Sequence, residues 1–263
     1  MIATDAAFEG HLHYEETDGV AVITYDRPER RNALSVSMFR AIVAAIEKAN
    51  ASDAVGAIVI THAGPVFCAG IDLKAAPEPK DPVTGIRDTV AVLGMADDTS
   101  WIHLLRRSKP SVAALNGAAV GLGATHILAA DLRIGTQNAS FSFPFLERGT
   151  MPEFGCSALL PRIAGFAAAM EICLTSAQLN AQESLAKRLL NRVTSAASAR
   201  DEAIALAAKL AKLPQLQVRL SRQLLHDNVA EPDWNKVLTR EREAFIAMFR
   251  ATRAAKIAEK PAD

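Results

Sequence analysis

The chemistry of this sequence is concentrated between Ser111 and Gly155. The stretch closes on Met151-Pro152-Glu153-Phe154-Gly155, a turn that presents a carboxylate just beyond the aromatic segment Phe141-Ser142-Phe143-Pro144-Phe145. A lone acid beside aromatic rings is a candidate proton carrier, because an apolar neighbourhood disfavours its charged form. Upstream lies Asn116-Gly117-Ala118-Ala119-Val120-Gly121-Leu122-Gly123-Ala124, which reads as a glycine-punctuated turn and helix start. Glycines let backbone come close to a ligand, and a helix start leaves amide N–H groups free where the dipole favours negative charge. Together these features suggest a site that holds a developing oxyanion and moves one proton.

The elements that must position these groups alternate. Tyr14–Tyr25 carries two strand signals split by the hairpin turn Asp18-Gly19, and Asp26–Asn32 is a polar loop. Ser35–Ala49 has helical spacing with Ser35 as N-cap. Ala57–Thr61 is a short apolar strand of the parallel-sheet kind, leading into the loop Gly64-Pro65-Val66-Phe67-Cys68-Ala69-Gly70-Ile71-Asp72-Leu73-Lys74. Ala76–Thr84 is a Pro-rich lid or surface loop, and Arg87–Ser108 is helical with Val90, Leu93, Gly94, Trp101, Leu104 and Leu105 inward. Strands are expected at Ser111–Leu115 and Leu132–Gly135. Beyond Gly155 helices dominate: Ser157–Ile163, Ala167–Leu174, Ala181–Leu190, Ala199–Leu213, Gln215–His226 and Asp233–Thr252. The fold class is therefore α/β, built of repeated ββα-type units. A shift from mixed to all-helical near Ser195 divides a core of residues 1–195 from a helical region of residues 196–263.

Composition removes several classes. Half of the 263 residues are hydrophobic, enough for a sizeable core. Lys+Arg and Asp+Glu both number 29, and with no basic stripe nucleic acid is not an expected partner. Ser111–Ala130 runs twenty residues without a formal charge, but three glycines, Asn116 and His126 interrupt it, so it reads as buried strand–turn–helix and no membrane span is expected. Residues 1–10 lack the basic and apolar regions of a signal peptide. Cys68, Cys156 and Cys173 form no C-x-x-C, which fits reduced thiols and a cytoplasmic location. His103 reads as a helix residue and His126 as a buried, satisfied imidazole; without ligand-like spacing no metal is expected. The Gly117–Gly123 glycines have the wrong order for a dinucleotide fingerprint, and Ser157 lacks a Gly-x-Ser-x-Gly setting.

Four segments in order, Arg27-Pro28-Glu29…Asn32-Ala33-Leu34, Phe67-Cys68-Ala69-Gly70-Ile71-Asp72-Leu73, Lys109-Pro110 and Asn116-Gly117…Gly121-Leu122-Gly123, resemble the crotonase (enoyl-CoA hydratase/isomerase) superfamily over nearly the whole chain. The resemblance implies a crotonase-like spiral of ββα units and a C-terminal helical region that packs subunits into a homotrimer or a dimer of trimers. It implies an acyl-CoA thioester as ligand, with no separate cofactor because coenzyme A is part of the substrate. It also places oxyanion-hole donors at the backbone N–H groups of Ile71 and Leu122. Two preorganised amides facing a thioester enolate are worth about 3 kcal/mol each.

Hydratases of the family use two glutamates, and the corresponding positions here hold Thr125 and Phe145, neither of which can act as a base. Pro152-Glu153-Phe154-Gly155-Cys156-Ser157 instead resembles the Pro-Glu-x-x-x-Ser segment of monofunctional Δ3,Δ2-enoyl-CoA isomerases, with Glu153 on their catalytic glutamate. One carboxylate suffices there: it removes a proton from C2 and returns one to C4. Phe141, Phe143, Phe145, Thr125 and Trp101 are then expected around the acyl group, and Glu147-Arg148 reads as a polar turn. For the coenzyme moiety the resemblance points to Arg27, Arg30 and Lys74, with backbone contacts around Ala33 and Ala69. Phe245, Met248 and Phe249 repeat at helical spacing and close the acyl tunnel or bury a trimer contact. The expected activity is double-bond isomerisation of an enoyl-CoA in fatty-acid metabolism. The alternatives are single-glutamate hydration of trans-2-enoyl-CoA and non-catalytic acyl-CoA binding.

Overall fold

The structure is a computed structural model that describes residues 8, 10–75, 100–194 and 198–258. The Pro-rich segment 76–84, Val90, Leu93 and Gly94 of the helix expected from Arg87, and the boundary expected near Ser195 lie outside the described residues. The described chain forms two compact units, residues 1–211 and 212–263.

The first unit is wound from strands placed alternately in two sheets. One sheet holds β1 (Leu12–Thr17), β2 (Val20–Tyr25), β3 (Ala57–His62), β5 (Ser111–Leu115), β7 (Leu132–Gly135) and β10 (Arg192–Val193) in that order; β1 is antiparallel to β2 and the rest are parallel. The other holds β4 (Val66–Cys68), β6 (Ala118–Val120), β8 (Ser140–Ser142) and β9 (Gln178–Leu179), with β4, β6 and β8 parallel. Each of β3, β5 and β7 is thus followed by a strand of the second sheet, which is the expected ββα winding. Residues 66–68 and 118–120, read from sequence as loop and turn, are strands.

Helices α1 (Val36–Ala51), α2 (Trp101–Arg107), α3 (Leu122–Ile127), α4 (Cys156–Ala164), α5 (Phe166–Leu174) and α6 (Ala181–Ala186) complete the winding. Ser35 caps α1 by accepting from the Met38 amide at 3.2 Å. Alternate residues of the first sheet face opposite ways. Ala21, Ile23, Ile58, Ile60, Ala113 and Leu115 join the main core with α1 and the second sheet. Val20, Val22, Val59, Val112 and Ile134 meet Ala199, Ala203 and Ala207 of α7 (Ala199–Ala211). Helix α7, expected in the C-terminal helical region, therefore covers the first sheet and belongs to the first unit. Small residues along that helix face let it lie close to the sheet.

The second unit carries α8 (Gln215–Asn228) and α9 (Trp234–Ala258), joined by Arg240, which pairs with Glu231 at 2.9 Å and donates to Asn228 Oδ1 at 2.9 Å. Phe245 and Phe249 are exposed on α9 with ring centroids 5.2 Å apart. Among the described residues no helix is long and apolar enough to cross a membrane, and no group of His, Cys, Asp and Glu side chains is arranged to hold a metal ion.

Candidate active site

Strands β4 and β6 are parallel neighbours, so the segments that leave them emerge at the same edge of the second sheet. Beyond β4 the chain bends at Gly70 and forms a parallel bridge with the loop after β2: the Leu34 amide donates to Gly70 O at 2.7 Å and the Asp72 amide donates to Leu34 O at 2.9 Å. At such a bridge the two hydrogen bonds run to the neighbours of Ile71, so its own N–H faces away from Leu34. Gly70 brings this segment up to the point where β6 leads into Gly121 and Leu122. Gly70, at φ +94°, makes the approach possible: a Cβ there would sit 2.9 Å from Val120 O and 3.6 Å from the Leu122 nitrogen. Leu122 opens α3, where first-turn amides have no intrahelical acceptor. Neither the Ile71 nor the Leu122 N–H donates to any other described residue. Two free amides near one strand edge are what the resemblance requires of an oxyanion hole. The close packing of α3 on β4 is enforced at Gly123, where a Cβ would lie 2.3 Å from Cys68 O.

The loop carrying Ile71 is fixed by a buried ion pair. Arg27 Nη2 meets Asp72 Oδ2 at 3.1 Å and Arg27 Nη1 donates to Ala33 O at 3.0 Å, while the Lys74 amide donates to Asp72 Oδ1 at 3.0 Å. The fully buried Asn32 ties the same loops, donating from Nδ2 to Ala63 O and Val66 O at 3.0 and 2.8 Å. Arg27, expected on the loop that borders the adenine pocket, has its guanidinium between the two loops, engaged by Ala33 O and Asp72. Arg30 and Lys74 are exposed, and Ala33 and Ala69 lie on the zipped segments, where the Ala69 amide donates to Arg31 O at 3.0 Å.

Glu153 stands on a tight turn closed by the Cys156 amide, which donates to Glu153 O at 3.0 Å. Phe154 (φ 58°) and Gly155 (φ 69°) both take left-handed backbone, and for Phe154 that costs about 1–3 kcal/mol. Burial holds Phe154 there: its ring meets Phe39 of α1 edge-on, with centroids 5.7 Å apart at 89°. The Glu153 carboxyl is half-buried, with no hydrogen-bond or ion-pair partner among the described residues, and burial raises its pKa above the ordinary glutamate value. Its charge in turn reaches Cys156, whose thiol is pushed up to about 12, chiefly by burial.

The expected acyl-pocket residues fall into two groups. Phe141 and Phe143 are fully buried with near-parallel rings 6.5 Å apart, and Phe145 follows them into the core. Thr125 is fully buried and its hydroxyl donates to Leu122 O at 3.3 Å, so the position that holds an acid in two-glutamate hydratases serves the helix instead. Trp101, buried like the others, is taken up by the core: its Nε1–H donates to His126 O at 2.6 Å. Glu147 is exposed on the short 3-10 turn Leu146–Arg148. Sequence reasoning missed the Arg27–Asp72 pair and the partners of His126. Their signals are single residues 45 and 101 positions apart, which no local spacing reveals.

The sequence pattern of the enoyl-CoA hydratase/isomerase family matches residues 15–260. The chain belongs to this family. Among its relatives, 4-chlorobenzoyl coenzyme A dehalogenase-2 of Arthrobacter sp. is 37% identical over 205 residues, covering 78% of this chain and 73% of the relative. The enoyl-CoA hydratase AFT3-1 of Alternaria alternata is 35% identical, covering 83% and 72%. Among solved structures, Pseudomonas aeruginosa DspI superposes with a TM-score of 0.83 at 30% identity, covering 95% of this chain and all of that one. The spiral of ββα units is thus the crotonase fold.

Proposed function

We propose that the protein shifts the double bond of an enoyl-CoA from Δ3 to Δ2, with Glu153 as the single proton carrier and the Ile71 and Leu122 amides as the oxyanion hole. The observation that carries this reading is the Glu153 carboxyl: half-buried, without a partner among the described residues, and with its pKa raised by burial. Such a group takes a proton from C2 and holds it long enough to return it to C4. Meanwhile the thioester oxygen gains negative charge, which two fixed amides stabilise without reorganising. In this reading Lys74 meets the nucleotide phosphate of coenzyme A and Arg30 borders the adenine pocket, with backbone around Ala33 and Ala69 against the adenine. Fatty-acid metabolism is the corresponding setting, and a homotrimer or dimer of trimers the corresponding assembly.

Hydration of trans-2-enoyl-CoA is the second reading, favoured by the likeness to a protein named as an enoyl-CoA hydratase. Against it stands Thr125, whose hydroxyl is engaged by Leu122 O and cannot deprotonate a water. The purified enzyme incubated separately with 3-hexenoyl-CoA, trans-2-hexenoyl-CoA and 4-chlorobenzoyl-CoA separates the possibilities. Conjugation of the first, lost in Glu153→Gln, is the expected result. Net hydration of the second, chloride release from the third, or tight binding of all three without turnover would each replace this reading.

A further inference from the structure

The two halves of the proposed site are joined by a buried chain of rings centred on His126. His126 Nδ1 lies 2.9 Å from Leu122 O, and a carbonyl oxygen only accepts, so Nδ1 carries the proton. Nε2 is then the acceptor and takes the Tyr25 hydroxyl at 3.1 Å. The His126 ring stacks 6.0 Å from both Tyr25 and Phe67, at 24° and 20°, and 5.7 Å from Trp101. Trp101 donates to the His126 carbonyl at 2.6 Å and packs 5.6 Å from Phe39. Phe39 in turn holds Phe154, the residue next to Glu153.

Tyr25, Phe67, Trp101 and His126 are all essentially inaccessible to solvent. In such a cluster a leucine or phenylalanine fills space without the desolvation cost of an imidazole and a hydroxyl. A polar pair there gives orientation in return for that cost. What it orients is the first turn of α3, since the Leu122 carbonyl receives both the imidazole and the Thr125 hydroxyl. We infer that His126, aligned by Tyr25, is a positioning residue that fixes the Leu122 carbonyl, hence through the Leu122 backbone angles the adjoining Gly121–Leu122 peptide that carries the amide N–H, and, through Trp101, Phe39 and Phe154, the placement of that amide relative to Glu153. The inference rests on Leu122 as an oxyanion donor, as proposed above. An oxyanion donor works over a narrow range of distance, so a small rotation of the Gly121–Leu122 peptide weakens it.

Two variants separate positioning from filling. Tyr25→Phe/His126→Phe keeps two stacked rings and removes hydroxyl and imidazole together, leaving neither orphaned. His126→Asn loses the ring but offers an amide N–H where Nδ1 stood. Each is bound to hexanoyl-CoA isotope-labelled at its thioester carbonyl, whose infrared stretch reports donor contact, and each is assayed with 3-hexenoyl-CoA. In the wild type the bound carbonyl stretch is expected below its value in water. In the double variant it returns toward that value and kcat falls about 10- to 100-fold with KM changed by less than about threefold. The Asn variant keeps more of the shift and of kcat than the double variant, although its melting temperature is lower. Retention of the wild-type shift by the double variant, or losses that simply follow melting temperature, overturns the inference. If the double variant does not fold, Asn and Gln at position 126 carry the same comparison, because only Asn puts its amide at the Nδ1 position. Equal shifts in those two overturn it as well. A wild-type enzyme with no shift at all overturns this inference together with the oxyanion assignment. A shift without turnover of 3-hexenoyl-CoA overturns only the isomerase reading.

Discussion

At the scale of single residues, the proposed chemistry depends on the Glu153 carboxyl, whose charge is partly denied solvent and, among the described residues, is met by no cation. Burial raises the pKa of Glu153, so its proton-accepting form is lost as pH falls through a value above the ordinary glutamate range. The acid limb of kcat/KM is therefore expected to lie above that range, and a pH–rate profile of the free enzyme checks it. The same shift has a stability consequence. A group whose folded pKa is raised contributes stability that is fully present below its unfolded pKa and lost as pH rises through the folded one. Near pH 7 Glu153 thus costs stability. Glu153→Gln is expected to raise the melting temperature by roughly 1–3 °C there, with the advantage disappearing below the unfolded carboxyl pKa. Calorimetry across that range reads the sign directly; a variant less stable than wild type at neutral pH contradicts the burial argument.

At the scale of elements, the site depends on how closely α3 is pressed onto β4. A methyl at Gly123 would meet backbone oxygen at 2.3 Å, not a side chain that can swing aside. Gly123→Ala is expected to lose about 1–3 kcal/mol in urea unfolding and to depress kcat by moving the Leu122 amide. The long apolar runs that became β2, β3 and β5, and the Ser35 cap of α1, were legible because period and cap are local signals. The strands of the second sheet were not. At three residues, β4, β6 and β8 are too short to show alternation, and pairing with neighbours specifies them. Helix α6 shows the opposite error: its pattern reads on to Leu190, yet the helix stops at Ala186 and Arg188 turns left-handed at φ 62°, which returns Leu189 and Leu190 to the core. Of the site, Glu153 and the two glycine turns could be read from residue type. The Arg27–Asp72 and His126–Tyr25 pairs could not, because they exist only once the spiral brings distant strands together.

At the scale of the whole molecule, apolar side chains remain exposed in both units. Phe166, Met170 and Leu174 recur every four residues along α5, and Phe245 and Phe249 do the same on α9. Apolar stripes of this kind are candidate surfaces for association. Light scattering is expected to give three or six copies of the 28.1 kDa chain, and a monomer at working concentration would contradict the proposed assembly. The most direct test of the central claim is the rate at which Glu153→Gln converts 3-hexenoyl-CoA to the conjugated isomer. With the oxyanion amides untouched, kcat is expected to fall by about 10²–10⁴-fold while KM stays near the wild-type value. A variant that retains kcat within a fewfold of wild type would show that some other group carries the proton.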